Sequence, residues 1–444
     1  MRCWQASFIA FAFLNIHVAK ASPWVEPDDP MLRVNLQQLA DAGYIKAPLT
    51  TFPLQWALLN DDLQKIDPLK LPDYLNLAYR YVKHYYNDAR LGRGTSRLKM
   101  LSTTQAPYRL GYGSFARDEW GVYSSYEHTD AKFSFRVNAN YAKQTDGDKK
   151  FNYQGSYAAI ANGSLTVAVG ELERWWGPGW QSSLSWSQNS NAVPAISTSW
   201  FGLQNPILGD WSFISLVGQL DSTSPNNYLW ASRISSKPWQ WLELGGSFQS
   251  YWGASGQARY DEFPKVITDQ EDTARRQTSL DMRIQLPSMG EVSQGIYGQI
   301  VSGQQQTKLS SYLYGYETSW FLAGQQAHLV FERQKLHDDY WLLNDDDPNL
   351  MVNEDRTIND QRLATLWSAG GIFFLVTSIN CNCLFIGLTL KQNLSFIKPL
   401  WNISCRYGRG NFIWAPIIVL SMLMMIAWVC GLAGTFAFRS RWEA

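Results

Sequence analysis

A mainly β fold, a transmembrane antiparallel β-barrel behind a small N-terminal α-helical region, follows from three features of this sequence. Segments of strand length between residues 108 and 336 alternate apolar with polar side chains, the period of a sheet with two unlike faces. Aromatic residues make up 14% of the chain and charged residues only 17%, below the usual quarter. Mean hydropathy is −0.25, too low for a bundle of membrane helices but suited to a barrel whose polar lumen offsets its apolar wall.

The chain opens with a leader. Arg2 gives a positive start, Phe8 to Leu14 an apolar run, and Ala19-Lys20-Ala21 an A-x-A cleavage site before Ser22. Residues 1–21 therefore have the form of a secretory signal peptide. Asn15 and His17 end the run too early for it to cross a bilayer as a helix.

Residues 22–92 form the helical region. Asp29 can cap a helix with Pro30 at its first position, Leu32, Leu36 and Leu39 share a face, and Gly43 can end it. A second helix is predicted from Pro53, with Trp56, Leu59 and Leu63 aligned. A third is predicted from Pro72, with Leu75, Tyr79, Val82 and Tyr86 aligned. Three short helices make a small core, so they are expected to dock on something larger.

Residues 93–364 supply the barrel. Phe133, Phe135, Val137, Ala139 and Tyr141 alternate with Ser134, Arg136, Asn138 and Asn140. The same pattern holds at 280–286 and 326–332, with similar runs near 108–116, 119–127, 151–160, 164–170, 211–220, 228–235, 239–249, 295–302 and 311–320. Runs of about ten residues suit tilted membrane strands, and Tyr141, Trp211, Trp239 and Trp320 near their ends suit interfacial girdles. A soluble sandwich shares the alternation; the leader favours the barrel. Arg136 and Arg283 fall mid-strand on faces that read as wet.

Several chemistries find no support. Formal net charge is +0, so nothing points to nucleic acid. Beyond Cys3, the cysteines are Cys381, Cys383, Cys405 and Cys430, leaving 22–380 without one and without thiolate metal motifs. The five histidines are scattered, so neither a metal nor a cofactor is expected. The acidic run Asn344 to Pro348 lacks the spacing and glycine of a calcium loop and reads as a solvated outer loop.

The most distinctive stretch is Glu171-Leu172-Glu173-Arg174-Trp175-Trp176-Gly177-Pro178-Gly179-Trp180. It reads as a strand end breaking into a tight turn with exposed indoles. Trp175, Trp176 and Trp180 could stack on sugar rings, while Glu171, Glu173 and Arg174 could bond hydroxyls. A girdle or a packed loop anchor would use the same residues. Glu171 and Glu173 lie about 7 Å apart by strand rise, within the approximate spacing of an inverting glycosidase pair. They share parity with Leu165, Val167 and Val169 on the lipid face, and a catalytic pair normally comes from different elements. No catalytic residue is assigned.

This stretch resembles the capsule assembly protein family Wzi. Supporting it are the Trp200 to Trp211 segment, the strand Trp239-Gln240-Trp241-Leu242-Glu243-Leu244-Gly245-Gly246, and the early Asp28-Asp29-Pro30 and Leu39-Ala40-Asp41-Ala42-Gly43-Tyr44-Ile45 segments. The resemblance covers about residues 22–360. It implies an outer-membrane barrel of 18 strands with a periplasmic helical bundle at one end. It also implies a lectin-like role, binding capsular or exopolysaccharide among outer-membrane lipid and other capsule export components. The residues themselves leave a porin for small solutes, and a glycan-cleaving enzyme, as alternatives.

From about residue 365 the pattern changes. Trp367 to Leu390 and Phe412 to Phe438 carry no charge and have the length of spanning helices. About a dozen strand runs precede them, which predicts an incomplete barrel followed by an anomalous apolar segment, 365–444, from a shifted reading frame or a fusion.

Overall fold

The computed structural model describes residues 23–90, 95–102, 111–113, 120–130, 132–143, 149–186, 192–219, 228–252, 275–302, 309–322, 325–336, 365–377, 380–391, 400–406 and 435–441. The leader at 1–21 and the acidic run at 344–348 lie outside them.

Eighteen described strand segments order into a closed barrel. The order runs from Pro194–Asn205 through its sequence neighbours to Thr435–Arg441, then to Thr95–Ser102, and on to Leu165–Glu171, which pairs antiparallel with Pro194–Asn205. Lys149–Asn152 and Tyr157–Asn162 pair with opposite ends of Phe133–Lys143 and act as one interrupted strand. Alternation sets the faces. Val137, Ile160, Val169, Ile196, Leu280 and Phe331 are exposed on the outer wall, while Ser134, Asn140, Ser279, Asp281, His328 and Glu332 are buried on the inner one. A closed ring leaves no unpaired backbone edge in lipid, where each lost hydrogen bond costs several kcal/mol.

The ends of the barrel are unlike. Tight turns join Asn162 to Leu165, Asn205 to Gly209, Trp239 to Leu242, Met289 to Val292 and Leu322 to Gln325. The other ends are joined by longer segments such as 220–227, 253–274 and 337–364. In exported barrels the short turns face the periplasm.

Three helices lie where the apolar spacing puts them. Helix α1 spans Pro30–Asp41, with the Asp29 carboxylate accepting from the Met31 and Leu32 amides at 2.8 and 3.2 Å, and Gly43 leaves it with φ +87°. Helix α2 spans Trp56–Lys65, three residues later than predicted from Pro53, because Leu54–Gln55 pairs with Trp24–Val25. Helix α3 spans Asp73–Arg90 and buries Leu75, Tyr79, Val82 and Tyr86.

Other expectations are corrected. The bundle does not merely sit at one end. α1 buries its polar residues as well as its leucines, because their partners line the inner wall: Gln326 donates to Asn35 and Gln38, and Arg283 meets Asp41. The helix is therefore inside the lumen. Arg283 is buried and Arg136 largely covered, rather than wet. Arg136 pairs with Glu26 and Glu127, and Arg283 with Asp41 and Glu317. Around 108–116 the described residues 111–113 form a turn, whereas Thr95–Ser102 and Pro194–Asn205 are strands outside the predicted runs.

The first apolar C-terminal run is a hairpin, Thr365–Thr377 with Asn380–Lys391, and not a helix. It extends the edge of Gln325–Leu336, and Gly370-Gly371 in its centre weakens any helix. Of the second run, only Thr435–Arg441 is described, as a strand. The strand order thus closes where the sequence led to an incomplete barrel. Its seam is unusual: Leu400–Arg406 pairs in parallel with Thr435–Arg441, although hairpin-connected strands are antiparallel.

A parallel seam without hairpin support should open locally before the rest of the wall. Amides of Leu400–Arg406 are expected to exchange with solvent deuterium at least ~10-fold faster than those of Gly209–Gln219. Equal protection of the two segments would contradict this reading of the seam.

Candidate functional site

Two inserts enter the lumen from opposite ends and meet inside it. From the short-turn end comes the helical region. Gln240 and Gln285 donate to the Ala40 and Asp41 carbonyls, Lys237 to the Ile45 carbonyl at 3.3 Å, and the Leu49 amide donates to Glu243 at 2.9 Å. From the long-loop end comes the segment between Leu165–Glu171 and Pro194–Asn205, which folds back into the barrel. The two meet as a miniature sheet, with Trp175 opposite Phe52 and Trp176 opposite Thr51. The Gly177 amide adds a bond to the Thr50 carbonyl at 2.9 Å.

Arg33 of α1 clamps the junction. Its guanidinium donates to the Gly179 and Pro178 carbonyls at 2.8 and 2.6 Å. It also lies 4.0 Å from the Trp180 ring centroid and 4.5 Å from that of Tyr112, a close cation–π geometry in a dry site. Burial pulls the Arg33 guanidinium below its ordinary value, while Tyr112 and the carboxylates of Glu317 and Glu332 pull it back up. The same burial pushes the Tyr112 phenol well up. Burial also raises the Asp41 carboxyl, and Arg283 beside it opposes the shift.

Trp180 is fixed on every side. Its backbone amide donates to Glu332 and its indole N–H to Glu317. The Gln181 amide reaches the other oxygen of Glu332 at 3.0 Å, and the Tyr297 hydroxyl donates to Glu332 at 2.7 Å. The ring packs 4.5 Å from His328. Its carbonyl accepts from the Tyr112 amide at 2.7 Å.

Beyond the tryptophan, a ladder of glutamines straps the loop to the wall. Gln299 accepts from the Leu184 amide at 2.9 Å, Gln277 donates to the Leu184 carbonyl at 3.0 Å, and Gln249 donates to the Ser185 carbonyl. On the other side, Arg233 holds Asp281 at 2.7 Å and the Thr51 hydroxyl at 2.7 Å.

The Gly-Pro-Gly turn is dictated by space. A Cβ on Gly179 would lie 2.1 Å from the Ser182 carbonyl oxygen. Gly177 has φ +132°, and a Cβ there would meet the Gln299 amide at 2.8 Å. Side chains at either position would push the loop off the wall.

A family model described as capsule assembly protein Wzi matches residues 89–341, more than half of the chain. The chain belongs to the Wzi family. A Klebsiella pneumoniae protein of 55.8 kDa, described as uncharacterised and in the cps region, is 23% identical over 330 residues. That match covers 68% of this chain and 61% of the relative, so the chain spans less than two thirds of that protein's length. The solved Wzi of Escherichia coli is an outer-membrane protein involved in group 1 capsule assembly and a carbohydrate-binding β-barrel. It superposes with a TM-score of 0.68 at 16% identity, covering 87% of this chain and 92% of that one; the likeness is one of fold. The chain's closed ring, apolar on its outer wall, is the barrel of a Wzi-family protein.

Within this Wzi-family barrel the six sequence-derived site residues separate. Trp175 and Trp176 are 0% exposed, and Trp180 and Arg174 only 3% and 2%. The expectation of exposed indoles is thereby corrected. Their faces are covered by Tyr112, Trp186, His328 and Arg33. The sequence reads a tight aromatic turn correctly but not which side of the wall it folds toward. Arg174 donates to the Leu172 carbonyl at 2.9 Å and lies over Trp186. Burial lowers its guanidinium to about 10, with Glu173 opposing. Glu171 and Glu173 remain half-exposed, Glu171 as the last residue of its strand and Glu173 in the loop beyond it.

Arg33, Tyr112, Glu317, Glu332 and the three glutamines were invisible as a site. Charged or amide residues mid-strand are the signal that could have found the wall partners, since such groups need a buried partner when the lumen is filled.

Arg33→Ala would remove two buried hydrogen bonds to carbonyls and the cation–π contacts, a loss of about 2–4 kcal/mol. The variant is expected to lose its midpoint in heat-modifiability gels by several degrees and to conduct ions in planar bilayers where the parent does not. An unchanged midpoint and a silent bilayer would remove Arg33 from this role.

Proposed function

We propose that this chain binds capsular or exopolysaccharide at its long-loop face and organises it at the outer membrane, without passing it through the barrel and without cleaving it. The observation that carries this reading is the obstructed lumen. Trp175–Trp176 pairs with Thr51–Phe52 across the interior, and Arg33 joins the same two inserts. Inserts that meet inside the barrel from both ends obstruct passage of a chain of sugars and favour the outer surface as the place to act. The carbohydrate-binding description of the Escherichia coli Wzi barrel supports polysaccharide as the ligand, as does family membership.

The buried tryptophans then act at one remove. They hold the loop whose start carries Glu171 and Glu173, the two half-exposed members of the sequence-derived set. Other capsule export components would meet the barrel at the same face or at the helical region.

Purified capsular polysaccharide should bind the detergent-folded protein with no loss of polymer length over time. A Glu171→Gln, Glu173→Gln double variant is expected to weaken that binding about 3- to 30-fold, the range of one or two charge-assisted hydrogen bonds. Heat-modifiability should be unchanged. Oligosaccharide flux through the parent barrel in liposomes would overturn this reading in favour of a porin, and shortening of the polymer would favour an enzyme.

A further inference from the structure

The lipid-facing wall carries its charges at one level only. In Phe133–Lys143, Arg275–Met289 and Gln325–Leu336 the outward positions are uncharged from the short-turn end upward. The pattern breaks at the last one or two, where Lys143, Arg276, Arg333 and Lys335 stand. Glu171 is the carboxylate at that level among the described strand positions. At the short-turn level the described outward strand positions hold uncharged residues, among them Trp200, Trp211, Trp239 and Trp320, and no Lys, Arg, Asp or Glu.

A cation snorkelling to water is equally useful at either interface. Snorkelling therefore does not account for a one-sided set. The one-sidedness calls for a one-sided partner, an anion concentrated in the leaflet that surrounds the long-loop end.

The best-formed cluster is Arg333 and Lys335 beside Tyr314 and Tyr312. Cross-strand pairing sets Arg333 opposite Tyr314 and Lys335 opposite Tyr312. Arg333 donates to the Tyr314 hydroxyl at 3.1 Å, with its guanidinium 6.0 Å from that ring's centroid. The two tyrosine rings are stacked, with centroids 6.2 Å apart at 11°, and Tyr314 is 45% exposed. The cations are two residues apart on one face, about 7 Å along the strand. That spacing lets both reach one phosphate, the guanidinium as a fork and the ammonium as a point charge. Tyrosine hydroxyls add donors at head-group depth. Phe331, 50% exposed one step toward the bilayer centre, gives acyl chains an apolar wall below the charges.

We propose that Arg333, Lys335, Tyr312 and Tyr314 form a site on the outer wall for the phosphorylated head group of an outer-leaflet glycolipid. The site is separate from the polysaccharide-binding face and does not depend on it. Its role is to fix the barrel's depth and surroundings where the polysaccharide is organised.

The test uses the full chain folded in detergent, with binding read by native mass spectrometry. The probes are a bisphosphorylated acylated disaccharide lipid and the same lipid with its phosphates removed. The parent is expected to retain the phosphorylated lipid at least ~5-fold more tightly than the dephosphorylated one, as expected for charge-assisted phosphate contacts. Arg333→Gln with Lys335→Gln should abolish the difference, while Arg333→Lys with Lys335→Arg should keep most of it. Heat-modifiability and polysaccharide binding should be the same in all three. Equal affinity of the parent for both lipids overturns the proposal even if the glutamine variant fails to fold. So does full retention of the phosphorylated lipid by a folded glutamine variant.

Discussion

The guanidinium of Arg33 holds the rest of this structure in place. It belongs to the helix that enters from the short-turn end, yet its hydrogen bonds go to Pro178 and Gly179 of the loop that enters from the other. Its ring contacts go to Trp180 and Tyr112. Without that cation, Glu332 would lose the charge beside it and Glu317 would keep only Arg283. With it, the junction is charged, dry and bonded on both sides, which is the condition under which a buried cation is tolerated. The obstructed lumen depends on the closed junction, and the non-channel reading depends on the obstructed lumen.

The wall around the junction is divided by parity. Each strand sends one set of side chains into lipid and the other into the plug. Inner-facing Arg233, Arg283, Glu243, Glu317 and Glu332 find partners on the inserts or across the wall. Two further facts follow. These five lumen charges are engaged in holding the plug or its wall and are not free to select a solute. The outward set is under the opposite pressure, since a charge at the bilayer midplane costs about 2–4 kcal/mol and one at the interface close to none. The outward cations stand at the upper interface accordingly.

Much of this was legible in the sequence where a residue's role depends on its neighbours in the chain. The Asp29 cap, the apolar faces of α1 and α3 and the alternation of Phe133–Lys143 are local patterns, and the structure has them where the spacing puts them. Legibility fails where the role is set by something distant. The run Trp175-Trp176-Gly177-Pro178-Gly179-Trp180 has the same composition whether its indoles meet sugar, lipid or Arg33, and the partner that decides lies about 145 positions away in the chain. Pro194–Asn205 failed to register as a strand because its outward Thr198 and inward Phe201 blur the alternation. Trp367 to Leu390 misled for a related reason: an uncharged run fits a helix or a two-sided apolar hairpin, and only the free edge of Gln325–Leu336 makes it the latter.

The seam shows what the inner and outer patterns jointly require. A barrel can close only if its last strand finds the first, and here Thr435–Arg441 occupies that place while running parallel to Leu400–Arg406. Antiparallel neighbours alternate narrow and wide hydrogen-bonded pairs and can be joined by tight turns; a parallel pair needs a crossover. The remaining wall strands are held by their ladders, and many from Phe133–Lys143 to Gln325–Leu336 also by side chains reaching the inserts. Pinning from within thus concentrates on the part of the barrel that the family model also covers, up to residue 341. The plug and that part of the wall form one unit, in which Arg33, Glu332 and Trp180 are constraints on each other rather than separate features. The seam lies on the side away from that unit, so disorder there would loosen the ring without first releasing the clamp.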